Sequence, residues 1–336
     1  MKTSVEWLRE YTDVNVDIKT LADRLTMTGS KVETIEQRGN NIKNVVVGKI
    51  LEITKHPDAD KLIVTKVNVE TEVLQIVTGA DNVKVGDIVP IAKDGSELPG
   101  GVKIKTGKLR GVDSCGMMCS VTELGLELAD YPDQIEHGIM ILPKEYEKFL
   151  GKDIVDVLNL REDILDFEIT SNRPDCFSIE GLGRETAIAL NENFKNPHRG
   201  LEKEVKTVNE IEGLKVDVQA EDLCYRYIAR IIKDVKIAPS PDWMKRRLNA
   251  CGVRAINNIV DITNYVMLEI GEPMHAFDIE SVAGKHIVVR RAKENEKITT
   301  LDEIERTLSA DNLVIADEER PVAVAGVMGG LNSGIT

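Results

Sequence analysis

The stretch "VVVGKILEITKHPDADKLIVTKVNVETEVLQIVTGADNVKVGDIVPIAK", Val45–Lys93, contains four short runs rich in Val, Ile and Thr, separated by turns that carry Gly, Pro and Asp. A fifth run, "GVKIKTGKLRG", follows at Gly101–Gly111. Almost no helical periodicity occurs among these runs, so we predict five short β-strands joined by turns. Five strands at this spacing favour a small Greek-key barrel, of which the oligonucleotide-binding (OB) barrel is a five-stranded example.

The chain around this barrel is long enough for two or three domains, since it has 336 residues. Residues 1–39 are predicted to form a helix and then a strand, with Asp17 as the N-cap of a helix that carries Leu21 and Leu25 on one face. A piece this small buries too little surface to fold alone. It should therefore pair with a segment later in the chain.

Charge limits where nucleic acid could bind. The chain has 43 Lys and Arg against 57 Asp and Glu, so its net charge of −14 repels phosphate backbones. Between Asn40 and Val112 the balance reverses to 11 basic against 9 acidic residues, which places any nucleic-acid face on the barrel. The candidates are Lys55, Lys61, Lys103, Lys105, Lys108 and Arg110. The alternative is a solvated surface, because exposed lysines more often confer solubility than binding.

The cysteines and the hydropathy pattern indicate the compartment. The five cysteines are odd in number and widely spread, which predicts reduced thiols in a cytoplasm. No apolar leader is evident, and no apolar run approaches the ~18 to 20 residues of a membrane span, so we expect no membrane partner. Cys115 and Cys119 lack the spacing and the second ligand pair of a zinc site. We therefore predict no bound metal and treat them as small buried hydrophobes.

The last third of the chain has the pattern of a mixed α+β domain. The polar stretch "NENFKNPHRGLEKEVKTVNE" predicts a linker that precedes this domain. Strand-like runs lie around Val216 and around Tyr225–Ile232, and "SPDWMKRRLNACGV" predicts a helix with Ser240 as its N-cap and Gly252 at its end.

His275, in this last third of the chain, is a candidate for a chemical role. His275 stands in "TNYVMLEIGEPMHAFD", Thr263–Asp278, where it is either a satisfied core residue or a pocket residue. Phosphate-loop, H-E-x-x-H and G-x-S-x-G motifs are absent from the sequence, and "GVMGG" does not match G-x-G-x-x-G. The pattern alone leaves both interpretations of His275 open.

Several motifs resemble known families. "HPDADKL", "VTGADNVKVGDIVPIA", "ELPGGVKIKTGKLRGVDSCGMMCSVTELGL" and "HGIMILP" occur in this order between Asn40 and Pro143, and together they resemble the tRNA-binding OB domain of several aminoacyl-tRNA synthetases. The start "MKTSVEWLREYTDV" and the later "TSNRPDCFSIEGLGRE" resemble the N-terminal part of the β subunit of bacterial phenylalanyl-tRNA synthetases.

This resemblance implies an α+β multidomain protein. Residues 1–39 and 148–200 would form a discontinuous α/β domain, and residues 40–147 an OB barrel inserted into it. Residues 201–336 would form a mixed α+β editing domain of the B3/B4 type, incomplete at its C-terminal side.

The editing site is implied by two further segments. "RAINNIVDITNYVMLEIGEPMHAFD" and "TLDEIERTLSADNLVIADEERPVAVAGVMGG" resemble the two walls of the site where these β subunits hydrolyse a wrong amino acid, chiefly tyrosine, from tRNA(Phe). By this resemblance the catalytic residues are Thr263, Asn264 and His275, and the substrate-binding residues are Pro273, Ala325 and Gly326. An ester needs little activation, so an oriented water, a few polar groups and backbone N–H donors suffice.

The same resemblance implies the partners. They are tRNA(Phe) and the synthetase α subunit in a heterotetramer, with aminoacylation on the α subunit. ATP and Mg²⁺ would serve the whole enzyme rather than bind to this fragment. In two respects the sequence departs from the family, since Ser333 is followed by Gly334 rather than Glu, and a pocket Glu of the family lies beyond Thr336. The alternative function is a non-catalytic tRNA-binding or scaffold piece with an inactive pocket.

Overall fold

A computed structural model describes residues 1–131, 133–197 and 213–335. Its contacts divide the chain into two compact units. The first unit comprises Lys2–Glu6 and Val32–Asp166, and the second unit comprises Met1, Trp7–Lys31 and Phe167–Thr336. The helices, in chain order, are α1 (Val5–Leu8), α2 (Ile18–Met27), α3 (Ile154–Val157), α4 (Ile179–Leu190), α5 (Asp242–Ala250) and α6 (Asn258–Ile270).

Strands dominate the first unit. They are β1 (Lys2–Ser4), β2 (Val32–Arg38), β3 (Lys43–Lys55), β4 (Ile63–Asn68), β5 (Val73–Thr78), β6 (Ile88–Leu98), β7 (Val102–Lys103), β8 (Gly107–Leu109), β9 (Val112–Ser114), β10 (Gly116–Met118) and β11 (Glu162–Phe167). Four of the predicted runs are the strands β3 to β6. The fifth run is divided between β7 and the β8–β9 hairpin, because the N–H of Thr106 turns to donate to the Asp94 carboxylate at 2.6 Å.

The largest sheet has the order β10-β6-β3-β4-β5, with β7 paired to β6. Strands β3 and β6 carry apolar residues to both faces of this sheet, which explains their nearly unbroken apolar sequences. Val47 and Ile88 are buried in the core under one face, whereas Ile50 is buried in the core under the other. Cys115, just before β10, donates its N–H to the carbonyl oxygen of Gln75 in β5 at 2.8 Å, so the two end strands approach each other.

A second sheet in the first unit has the order β1-β11-β2. The first strand pairs antiparallel with β11, so that Thr3 lies opposite Leu165. The hydroxyl of Ser4 donates to the carboxylate of Glu162 at 2.6 Å, across the same pair of strands.

The second unit combines a sheet with helices. Its strands are β12 (Lys215–Val218), β13 (His286–Arg291), β14 (Glu296–Thr299), β15 (Glu305–Leu308), β16 (Leu313–Ala316), β17 (Pro321–Val324) and β18 (Met328–Gly329). The sheet order is β12-β13-β16-β17-β18, and β14 and β15 form a separate hairpin. Helix α4 packs against α2 and α6, and α5 packs against α6. The predicted N-cap Asp17 is confirmed, since its carboxylate accepts the N–H of Thr20 at 3.0 Å.

Two local predictions for the second unit are wrong. No strand forms at Tyr225–Ile232, because the described part of the chain offers its backbone no neighbouring strand. Ser240 is not the N-cap of α5, which begins after Pro241, because the Ser240 hydroxyl donates instead to the buried carboxylate of Asp261 at 2.5 Å. The predicted linker lies partly outside the described residues, from residue 198 onward.

Candidate functional site

The basic side chains proposed from the sequence are exposed on the first unit. They are Lys55, Lys61, Lys103, Lys105, Lys108 and Arg110. Lys108 and Arg110 lie on the β8–β9 hairpin, where Arg110 takes a left-handed φ of 49° at the turn. Carboxylates offset part of this charge, since Lys103 lies opposite Glu97 in the β6–β7 ladder and the Lys108 ammonium is 3.8 Å from the Asp113 carboxylate.

One residue on this side of the first unit, His56, was not proposed from the sequence. His56 follows β3 and is 6% exposed, although the turn around it is open to solvent. Its Nε2 lies 3.1 Å from the carbonyl oxygen of Leu109 on the β8–β9 hairpin. The sequence signal was a histidine in the polar turn "KHPDAD", but its partner is 53 residues away.

Helix α6 carries two of the proposed editing residues. It begins after Asn257, whose side-chain oxygen accepts two N–H groups of the first turn, and it ends at Gly271, where φ is 78°. Thr263 and Asn264 are half-buried on this helix. The hydroxyl of Thr263 donates to the carbonyl oxygen of Val260 at 2.7 Å, so in this state it is engaged with its own helix.

An aromatic and cationic cluster fixes α6 within the second unit. The ring of Tyr265 stacks on Trp7 with a centroid distance of 4.4 Å and meets Trp243 edge-on at 5.4 Å. Arg247 donates to the Tyr265 hydroxyl at 2.6 Å, and its guanidinium lies 5.3 Å from the Trp7 ring centroid. Such cation–π and stacking contacts hold the helix in one register.

His275 lies in the segment after α6. The residue is exposed as a whole, but its ring packs edge-on against Phe277, with centroids 4.5 Å apart, and directly against Gly329. This partial burial of the ring lowers the pKa of His275 below its usual 6.5, because desolvation disfavours the charged form. At pH 7 the imidazole is therefore neutral and able to accept a proton.

Ala325 and Gly326 form the turn between β17 and β18. Gly326 has a φ of 69°, and open space lies where a side chain would be. A cavity of about 610 Å³ adjoins this turn, since Val324 and Val327 on either side of it both line the cavity. The other lining residues are Thr300, Ile304, Glu305, Arg306, Thr307, Leu308, Asn312 and Met328.

The six editing residues proposed from the sequence lie at different distances from this cavity along the chain, and none of them is among its lining residues. Ala325 and Gly326 lie between the lining residues Val324 and Val327, and His275 touches Gly329, which directly follows the lining residue Met328. Thr263, Asn264 and Pro273 do not line the cavity as the described residues form it. The polar cavity residues on the β14–β15 hairpin were missed from the sequence, because their shared position depends on strand pairing.

The part of the chain that the structure describes contains neither a cluster of metal-ligating side chains nor a helix that could span a membrane. No group of three or more His, Cys, Asp or Glu side chains is placed there to hold a metal ion. No described helix is long and apolar enough to span a membrane. Cys119 is buried, and burial raises the pKa of its thiol to about 12, as is usual for a cysteine that acts as a small hydrophobe.

Two family models match this chain. The tRNA binding domain model matches residues 45–150, and the B3/4 domain model matches residues 223–336. The matches define a protein that joins a tRNA-binding-type domain to a B3/4 domain.

Curated relatives narrow this class. A phenylalanine–tRNA ligase beta subunit of Clostridium acetobutylicum is 54% identical over 99% of this chain and 41% of its own length. Those of Clostridium tetani and Fusobacterium nucleatum are 51% and 46% identical, over 99% and 100% of this chain and 41% of their own lengths. A solved MetRS-related protein from Pyrococcus horikoshii is 22% identical over 34% of this chain and 87% of its own, with a TM-score of 0.23.

The chain belongs to the family of phenylalanine–tRNA ligase beta subunits, and it spans about two fifths of the length of the curated relatives that it matches.

Proposed function

We propose that this chain binds tRNA(Phe) and hydrolyses tyrosine wrongly attached to it, as part of a phenylalanine–tRNA ligase. The observation that carries the proposal is the contact of His275 with Gly329, which directly follows the cavity residue Met328. The Ala325–Gly326 turn lies between two other lining residues of this cavity, Val324 and Val327. A partly exposed, neutral imidazole that contacts a neighbour of a cavity residue is expected of a pocket histidine rather than of a core histidine.

The first unit supplies the tRNA-binding part in this proposal. We infer that it is an OB barrel, supported by its sheet order and by the bond from Cys115 to Gln75 between the end strands. The six exposed basic residues named above would contact phosphates, with an affinity that falls as salt rises.

The second unit supplies the hydrolytic part. An aminoacyl ester is already reactive, so the site needs an oriented water and donors for the developing oxyanion rather than a covalent nucleophile. The neutral ring of His275 would accept a hydrogen bond from this water or from the terminal ribose. The backbone of Gly326 is open to a close approach by the substrate. Thr263 and Asn264 would add polar contacts once substrate is bound, and Pro273 and Ala325 would shape the walls.

The same proposal divides the chain into three domains. Residues 1–39 and 148–200 would form one discontinuous domain, residues 40–147 the OB domain, and residues 201–336 the editing domain. The whole enzyme would be a cytoplasmic heterotetramer with an α subunit that carries aminoacylation. ATP and Mg²⁺ would serve the whole enzyme in this proposal, and no step of editing is routed through either.

Deacylation of Tyr-tRNA(Phe) tests the proposal. We expect the chain to release tyrosine slowly, and His275→Ala to slow the release further, by ~10- to 1,000-fold, as for loss of one positioning or acid–base group. His137→Ala is the matched control, since His137 is an exposed histidine of the first unit. Retention of tRNA without any release of tyrosine would favour the alternative, a non-catalytic tRNA-binding or scaffold piece.

A further inference from the structure

His56 connects two surface loops of the first unit. Its Nδ1 accepts the backbone N–H of Asp58 at 3.1 Å, within its own turn. Because Nδ1 accepts, the neutral ring carries its hydrogen on Nε2 and donates it to the carbonyl oxygen of Leu109 at 3.1 Å. Both ring nitrogens are thus satisfied, as is required of a side chain that is 6% exposed.

The second loop is the β8–β9 hairpin, which is held at two places. At its base, Gln75 of β5 donates to the carbonyl oxygen of Asp113 at 2.9 Å, and the hydroxyl of Ser114 accepts the N–H of Val77 at 3.1 Å. Near its tip, Leu109 accepts from His56. Every residue of β8 is exposed, so apolar packing contributes little to the position of the tip.

Four of the six basic candidates lie on, or directly beside, the two loops that His56 connects, Lys55 being the last residue of β3. We call Lys55, Lys61, Lys108 and Arg110 the loop–hairpin surface. The same loops also carry Asp58, Asp60 and Asp113, so the local excess of positive charge is small. Phosphate binding there depends on how the cations are placed relative to the carboxylates, and less on net charge.

We propose that His56 is a positioning residue for RNA: it holds the hairpin tip against the turn after β3, so that the loop–hairpin surface presents its four cations together to phosphate groups. The inference rests on the proposed tRNA binding and divides the six basic candidates into two groups. Lys103 and Lys105 lie on and after β7, outside the two loops that His56 connects.

Retention of unfractionated bacterial tRNA by the full chain, measured over a range of salt, tests this inference. We expect His56→Ala to weaken retention by ~3- to 10-fold at low salt and to flatten the salt dependence, since fewer phosphates are contacted together. His56→Gln should recover part of the affinity, because its amide N–H can donate to the Leu109 carbonyl oxygen. His137→Ala, which removes an exposed histidine from the same unit, should bind as the parent does.

A double-mutant cycle separates positioning from general loss of structure. In a background in which Lys55, Lys61, Lys108 and Arg110 are all changed to Gln, His56→Ala should have no further effect on retention. An equal loss in both backgrounds would overturn the inference, as would parental binding by His56→Ala. Absence of tRNA retention by the parent chain would instead overturn the proposed RNA binding itself. Thermal melts establish that each variant is folded at the assay temperature.

Discussion

The imidazole of His275 rests on Gly329 so closely that a Cβ at position 329 would lie 2.4 Å from the ring Cε1 and 2.9 Å from Nε2. Contacts this short do not occur with a real side chain, so the place of the ring depends on the absence of one at residue 329. Strand β18, which contains Gly329, thereby sets the position of a histidine that lies 54 residues earlier in the chain.

Gly329→Ala should therefore displace the His275 ring. Because His275 is exposed, the ring can swing toward solvent, and we expect the fold to persist while Tyr-tRNA(Phe) hydrolysis slows by ~10-fold or more. Gly334→Ala is the matched control, since a Cβ there would meet only Leu301, at 4.0 Å. Deacylation rates and thermal melts of both variants give the comparison, and equal rates would show that ring placement does not matter.

The pH dependence of hydrolysis should report the neutral form of His275. Burial of the ring lowers its pKa below 6.5, so the folded protein resists protonation of this group. Its contribution to stability is present at neutral pH and is lost as pH falls through that lowered pKa. We expect the rate to be constant around pH 7 and to fall only below pH 6.5. An NMR titration of the ring, with His275→Gln to assign the signal, measures the pKa directly; a value above 6.5 would contradict this prediction.

Trp7 should contribute strongly to the stability of the second unit. It is fully buried and stacks on Tyr265 of α6, so Trp7→Ala leaves a large cavity and should cost about 3–5 kcal/mol of unfolding free energy. Trp243 meets the same tyrosine but is 45% exposed, so Trp243→Ala should cost clearly less. Urea unfolding of both variants measures the difference, and similar costs would mean that the stack is not what holds α6.

Glu162 should make the first unit less stable at neutral pH than at mildly acidic pH. Burial raises the pKa of this carboxyl above 4.5, despite the hydrogen bond from Ser4. An acid with a raised pKa contributes stability that is fully present below its unfolded pKa and is lost as pH rises through the folded pKa. Glu162→Gln keeps the acceptor for Ser4 without the charge, so the variant should be more stable than the parent at pH 7, and the difference should shrink toward pH 4.5.

Glu168 is a control for this prediction, because its carboxyl pKa is lowered rather than raised. Lys31 lowers the pKa of Glu168 by a hydrogen bond, so Glu168 contributes stability above its unfolded pKa that is lost as pH falls. Glu168→Gln should therefore destabilise the protein at pH 7. Thermal melts between pH 4.5 and pH 7 distinguish the two variants, and a Glu162→Gln protein less stable than the parent at pH 7 would contradict the burial argument.

Local patterns in the sequence predicted much of the secondary structure. Alternating and continuous apolar runs gave β3 to β6, and Asp17 was correctly identified as the N-cap of α2. These predictions succeeded because capping and strand patterning involve neighbours within a few residues. The strand predicted at Tyr225–Ile232 does not form, for the complementary reason. A strand pattern yields a strand only where a second backbone is present to pair with it.

The motifs in the sequence by themselves determined the family and named His275, Ala325 and Gly326 as candidates. Only the tertiary structure decided that His275 packs on Gly329, that the Ala325–Gly326 turn adjoins a cavity, and that His56 joins two loops 53 residues apart. Motifs carry residue types and spacings. Contacts between distant segments depend instead on strand order and on where a side chain is absent, as at Gly329, and neither is encoded within a short stretch of chain.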